Sequence, residues 1–208
     1  MKKLVVFFLV ILMFLLSGCQ RGTGSLSSEF SETSNLAVVT ADIGKTLDDL
    51  QRQNPSYEYL HLNGYDFSAE SLGSPDGTFA YVFFGTQAGP GLEEMAPRYG
   101  KQLKCAGIYT TVEKIFSITN NGAVSIEEFL LSIGINIKDS DRVTFWAGWI
   151  LFDYMNYSMA INTKDIGSDV YARPTVKIEK SFPLIIKDEE LWASNYELCT
   201  KTGVGSMS

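Results

Sequence analysis

The side chains able to do acid–base, metal or nucleophilic chemistry are sparse in this chain, and their spacing limits what they can do. His61 is the one histidine in 208 residues, so a His-based metal cluster is excluded and a Ser/His/Asp triad would have to be built around this position alone. Strand alternation over residues 57–62, "YEYLHL", sets it on one face with Tyr57 and Tyr59, where it reads as a structural or surface histidine. Four acidic pairs, Asp48 with Asp49, Glu93 with Glu94, Glu127 with Glu128 and Glu189 with Glu190, could supply the two carboxylates of a glycan hydrolase across a cleft. The competing reading is a solvated face. "GKT" at residues 44–46 ends like a phosphate loop, but Val39 stands where the first glycine is required. "GTQAGPG" from Gly85 lacks dinucleotide-binding spacing, and "KDSD" and "NTKDIGSD" do not match a calcium loop. No cofactor and no metal is expected.

Three cysteines remain to be placed. Cys105 and Cys199 form a candidate disulfide if the chain works outside the cytoplasm, closing a loop of 95 residues for roughly 4 kcal/mol in the loop-entropy view. A reducing setting would leave them as buried thiols. Aromatic residues are more suggestive. In "FWAGWILFDYMNY", residues 145–157, alternation as one strand sets Trp146, Ile150, Phe152 and Tyr154 on one side and Phe145, Trp149, Leu151 and Asp153 on the other. Both sides are apolar, so one packs under a helix and the other meets either a second core layer or a partner. Trp and Tyr anchor interfaces, and Tyr57, Tyr59 and Tyr81 could extend such a face.

The elements that position these residues begin with an address segment. Lys2 and Lys3 precede an apolar run from Leu4 to Leu16, followed by Ser17, Gly18 and Cys19. This is the layout of a secretory leader, and the run is short of the roughly 20 apolar residues a spanning helix needs. Leu16, Ser17, Gly18 and Cys19 resemble the lipobox of bacterial lipoproteins. The resemblance implies cleavage before Cys19, a diacylglycerol on its sulfur and usually a third acyl chain on its amino group. Two or more chains make a stable anchor where one does not. Gln20 after the cysteine resembles the pattern of lipoproteins sorted to an outer membrane, where the cell has one.

Loss of residues 1–18 removes two lysines and no acid, taking the formal charge from −7 to −9. With its basic residues scattered singly, such a chain is a poor ligand for nucleic acid or anionic lipid. Residues 19–35 read as the lipidated cysteine and a Gly/Ser/Thr-rich tether reaching about 22 Å. Residues 36–208 are an extracytoplasmic body, with candidate halves 36–104 and 105–208.

Within that body "TLDDL" at 46–50 is echoed by "SIEEF" at 125–129. In each, a hydroxyl can cap the first helical turn while the acids favour the positive end of the helix dipole. Pro55 ends the first helix by Asn54, and Gly134 offers the second a left-handed stop. Ile126, Phe129, Leu130 and Ile133 follow helical spacing. Strands are expected at 57–62, 78–84, 105–112, 146–152, 154–161 and 170–178, with Pro174 at an edge or bulge. The segment 85–100 reads as a loop. The fold class is α+β: an antiparallel sheet with few short helices, in two tandem helix-then-sheet units or one mixed domain.

Such tandem units resemble the beta-lactamase inhibitor protein and the small lipoproteins of the outer-membrane barrel-assembly machinery. The resemblance rests on the two helix starts and the strands after them, and "IGKT" only approximates the usual entry to the first helix. It implies an extracytoplasmic binding module and transfers no functional residue. The sequence therefore points to a membrane-anchored lipoprotein that binds a protein or envelope ligand, against an envelope hydrolase or a purely structural lipoprotein.

Overall fold

The structure, a computed structural model, describes residues 32–63, 68–115, 124–136, 138, 142–146, 148–162, 177–178 and 181–203. The leader, Cys19 and most of the tether lie outside the described residues. Residues 31–208 cluster as one compact unit. Among the described residues six helices, α1 (Glu32–Thr40), α2 (Leu47–Gln53), α3 (Leu92–Tyr99), α4 (Val112–Ile115), α5 (Ile126–Ser132) and α6 (Glu189–Gly203), accompany ten strands. The strands are β1 (Glu58–Asn63), β2 (Ser68–Gly73), β3 (Ala80–Gly85), β4 (Gly107–Thr111), β5 (Val124–Ser125), β6 (Val143–Trp146), β7 (Trp149–Tyr154), β8 (Tyr157–Asn162), β9 (Lys177–Ile178) and β10 (Pro183–Lys187). None of the described helices is long and apolar enough to cross a membrane.

Eight strands form one sheet in the order β1-β2-β3-β4-β10-β8-β7-β6, every pairing antiparallel. β5 pairs with β9 separately. The fold is thus α+β, as the alternation of short aromatic and β-branched runs with turn residues requires. The order reads as two four-stranded runs meeting at β4 and β10. A capped helix opens each run: Thr46 accepts from the Asp49 N–H at 3.2 Å, and Ser125 forms a full capping box with Glu128. Glu128 is held below the usual carboxylate range because it accepts hydrogen bonds from the Ser125 N–H and hydroxyl. α2 ends at Asn54, ahead of Pro55, and Gly134 takes φ +77° after α5.

All six helices supply side chains to two apolar clusters on one side of the sheet. One gathers Leu36, Ile115, Phe129, Phe152, Ile161 and Ile186. The other gathers Leu47, Leu72, Tyr81, Leu92, Ile108 and Cys199. The register puts Leu72, Tyr81, Ile108, Ile186, Met159 and Phe152 in a row across neighbouring strands, so this is one continuous face. The adjacent row, through Leu60, Ser71, Val82, Gly107, Lys187, Ser158 and Asp153, faces the other way and belongs to neither cluster.

Several local readings need correction. Residues 145–157 are not one strand but parts of three, turning at Gly148 (φ +82°) and again at Met155 and Asn156. Cross-strand register therefore pairs Trp146 with Trp149, and the alternation that grouped Trp146 with Ile150 is reset by the turn. Residues 154–161 are likewise interrupted by the second hairpin. The 85–100 segment holds a 3-10 turn and α3, and the helix runs through Pro97. α1 begins at Glu32, inside the stretch read as tether. Of the expected strand at 170–178 only β9 is described; Pro174 lies outside the described residues.

Candidate functional site

Each acidic pair lies in the first turn of a helix: Asp48 and Asp49 in α2, Glu93 and Glu94 in α3, Glu127 and Glu128 in α5, Glu189 and Glu190 in α6. Carboxylates are favoured there by the exposed N–H groups and the helix dipole, so their recurrence has a structural cause at all four places. Asp48 and Glu93, from different pairs, do line a polar hollow of about 740 Å³ with Tyr59, Arg98 and Lys101. No group of three His, Cys, Asp or Glu side chains arranged to hold a metal occurs among the described residues.

His61 is half-exposed, and its Nδ1 lies 2.8 Å from Glu70 Oε1. The other carboxylate oxygen of Glu70 accepts from the Leu92 N–H at 2.9 Å, which caps α3 across 22 positions of sequence. His61 thus steadies a helix cap.

Cys105 and Cys199 are buried in the same cluster and are not joined in a disulfide. Cys105 Sγ donates to the Gly107 carbonyl at 3.2 Å. Burial pushes both thiols up to about 12. At pH 8 a thiol of pKa 12 is thiolate in about one molecule in ten thousand, and the thiolate is the nucleophile. Both should therefore resist alkylation in the folded chain and react fully in denaturant; rapid labelling of the native chain at pH 8 would contradict the burial.

The aromatic residues separate between the two sheet faces. Tyr57, Tyr59, Tyr81 and Tyr154 pack with the helix-side clusters. Tyr81 donates to Asp42 Oδ2 at 2.7 Å, stacks obliquely on Tyr57 with centroids 5.9 Å apart, and is pushed upward in pKa chiefly by burial and by that bond. These four tyrosines therefore do not extend a face that includes Trp149. The side chain of Trp146 lies outside the described residues.

Trp149 stands on the other side, where it lines a groove of about 320 Å³ together with Leu151, Asp153, Ser158, Ala160, Ile185, Lys187 and Glu189. The register builds this groove from two rows across β7, β8 and β10: Leu151, Ala160 and Ile185 in one, and Asp153, Ser158 and Lys187 in the next on the same face. Its floor is apolar and Asp153, Lys187 and Glu189 set charge at its margin, the composition typical of ligand sites. Trp149 is 5% exposed, and its indole N–H is buried with no hydrogen-bond partner among the described residues. An unpaired buried donor is costly, which marks this place as one not optimised for the fold alone. The sequence had singled out Trp149; it gave no sign of Ala160 and Ile185, whose strands become neighbours only through the crossover to β10. Compared with known proteins, the chain matches no family model, no curated protein and no solved structure.

Proposed function

We propose that the chain is a membrane-anchored extracytoplasmic lipoprotein whose body is a binding module for a protein or envelope ligand, which it takes on the sheet face opposite the two core clusters. The single observation that carries the reading is the apolar groove across β7, β8 and β10, with the buried, unpartnered N–H of Trp149 at its wall. Two four-stranded runs, each opened by a capped helix, support the resemblance to tandem helix-on-sheet binding modules. The anchor rests on the lipobox-like Leu16, Ser17, Gly18 and Cys19. Nucleic acid is disfavoured by the net charge of −7.

Ala160 tests the groove without touching either core cluster, because it is half-buried in the middle of the row. Ala160→Phe should fill the groove, change stability by less than about 1 kcal/mol, and abolish capture of an envelope ligand by the full chain in detergent. Unchanged capture by a folded Ala160→Phe chain would remove the groove from the account. The carboxylate-hydrolase reading has one observation in its favour, the shared hollow of Asp48 and Glu93. It requires turnover of envelope glycan that both Asp48→Asn and Glu93→Gln abolish.

A further inference from the structure

We infer that the occupant of the groove is a protein segment that places an apolar side chain beside a basic one, lying along β8 from Trp149 toward the β7–β8 hairpin tip. The inference rests on the binding reading above and names the chemistry of the partner. At about 320 Å³ the groove is at the small end of ligand pockets, which run from about 300 to 1,000 Å³. That suits one or two side chains better than a bulky cofactor. Leu151, Ala160 and Ile185 supply an apolar floor in a single cross-strand row.

Charge selects between partners. Glu189 is engaged by Lys187 at 2.9 Å, and the same ammonium stands 5.1 Å from the Trp192 ring. These charges answer each other. Across β8 from Lys187, in the same cross-strand row, Asp153 is exposed, and its carboxylate meets only the Ser158 hydroxyl, at 3.3 Å, among the described residues. The charge left over for a ligand is therefore negative, on a chain that is acidic throughout. A Lys or Arg next to the apolar anchor complements it, and an acid would be repelled.

The hairpin tip adds an independent sign. Met155 has φ +56°, the only positive φ among non-glycine residues described, and its side chain is 63% exposed. A left-handed conformation is unfavourable for a residue with a Cβ, and Gly or Asn is the usual occupant. Strain of this kind concentrates at functional positions. Here it holds a polarizable, adaptable thioether in solvent in the turn that joins β7 to β8, two residues beyond Asp153 and three before Ser158, both of which line the groove. The same segment that seats its apolar group over Ala160 meets Met155 there.

The test is a random heptapeptide array probed with the purified full chain in detergent, with Ala160→Phe, Asp153→Asn and Met155→Gly chains alongside. The expected result is enrichment of peptides with an apolar residue adjacent to Lys or Arg, lost with Ala160→Phe. Asp153→Asn should erase the preference for the basic residue while apolar binding persists. Met155→Gly should raise the unfolding midpoint yet weaken the selected peptides by about tenfold, a loss that a purely structural tip would not show. Groove-dependent binding with no basic preference, untouched by Met155→Gly, would overturn this inference and leave the binding reading standing. No enrichment over the Ala160→Phe chain would overturn both.

Discussion

Asn195→Ala is expected to lower the stability of the folded unit by about 3 kcal/mol, because a buried amide would be removed from three backbone groups that it bonds. Asn195 is 3% exposed on α6. Its Nδ2 donates to the Phe83 carbonyl at 2.8 Å and the Lys104 carbonyl at 2.6 Å, and its Oδ1 accepts from the Lys104 N–H at 3.2 Å. The β3–β4 ladder ends at Val82 and Gly107, so beyond that point the two chains part and the side chain of Asn195 stands in for the missing rungs. Asn195→Asp should be at least as damaging, since it turns a donor toward two carbonyl oxygens into an acceptor. Urea unfolding measures both. A loss under about 1 kcal/mol for Asn195→Ala would mean that water replaces the amide at little cost and that α6 is not fastened there.

Phe129→Ala should cost about 4 kcal/mol, the range for removing a fully buried aromatic side chain and leaving a cavity. Phe129 is 2% exposed, and its ring meets Phe152 edge-on at 6.2 Å and 79°. That contact joins α5 to β7 through the same cluster that holds Ile115, Ile161 and Ile186. Phe129→Leu retains most of the volume and should cost no more than about 1.5 kcal/mol. Leu131 on the same helix is 54% exposed, so Leu131→Ala should change stability by less than about 0.5 kcal/mol. Equal losses at positions 129 and 131 would contradict the packing of α5 on the sheet.

The two positions differ in how far the sequence reveals them. Phe129 is legible because its information is local: a hydroxyl cap at Ser125, acids in the first turn, apolar residues at helical spacing, and Gly134 to stop. Asn195 is not, since the groups it satisfies lie 112 and 91 positions away and nothing beside it in the chain marks them. α3 escapes for a similar reason. Its N-terminus is capped by Glu70 from β2 instead of by a neighbouring hydroxyl, and its flanking glycines and Pro97 carry the signature of a loop. The hairpin turns hide inside apolar runs. Gly148 is a single glycine between tryptophans, and Met155 is a residue that turn chemistry does not predict at positive φ.

The candidate site follows the same pattern. Trp149 and Asp153 share a face in the sequence reading and also line the groove together, because both belong to one uninterrupted strand. Trp146 changes partners because the turn falls between it and Trp149. The tyrosines read as a possible extension, Tyr57, Tyr59 and Tyr81, are drawn under the helices by apolar packing, and in Tyr81 by a carboxylate that satisfies its hydroxyl. Alternation tells which residues share a side of a strand. It does not tell which side the helices will cover.

Site-directed photocrosslinking tests the central claim most directly. A photoreactive residue placed at Leu151, on the groove, or at Val38, 72% exposed on α1, would be activated in the intact cells that make the chain. Binding in the groove predicts a discrete adduct from position 151 that is absent from position 38 and disappears with Ala160→Phe. Equal adducts from both positions, or an adduct at 151 indifferent to the filled groove, would contradict it.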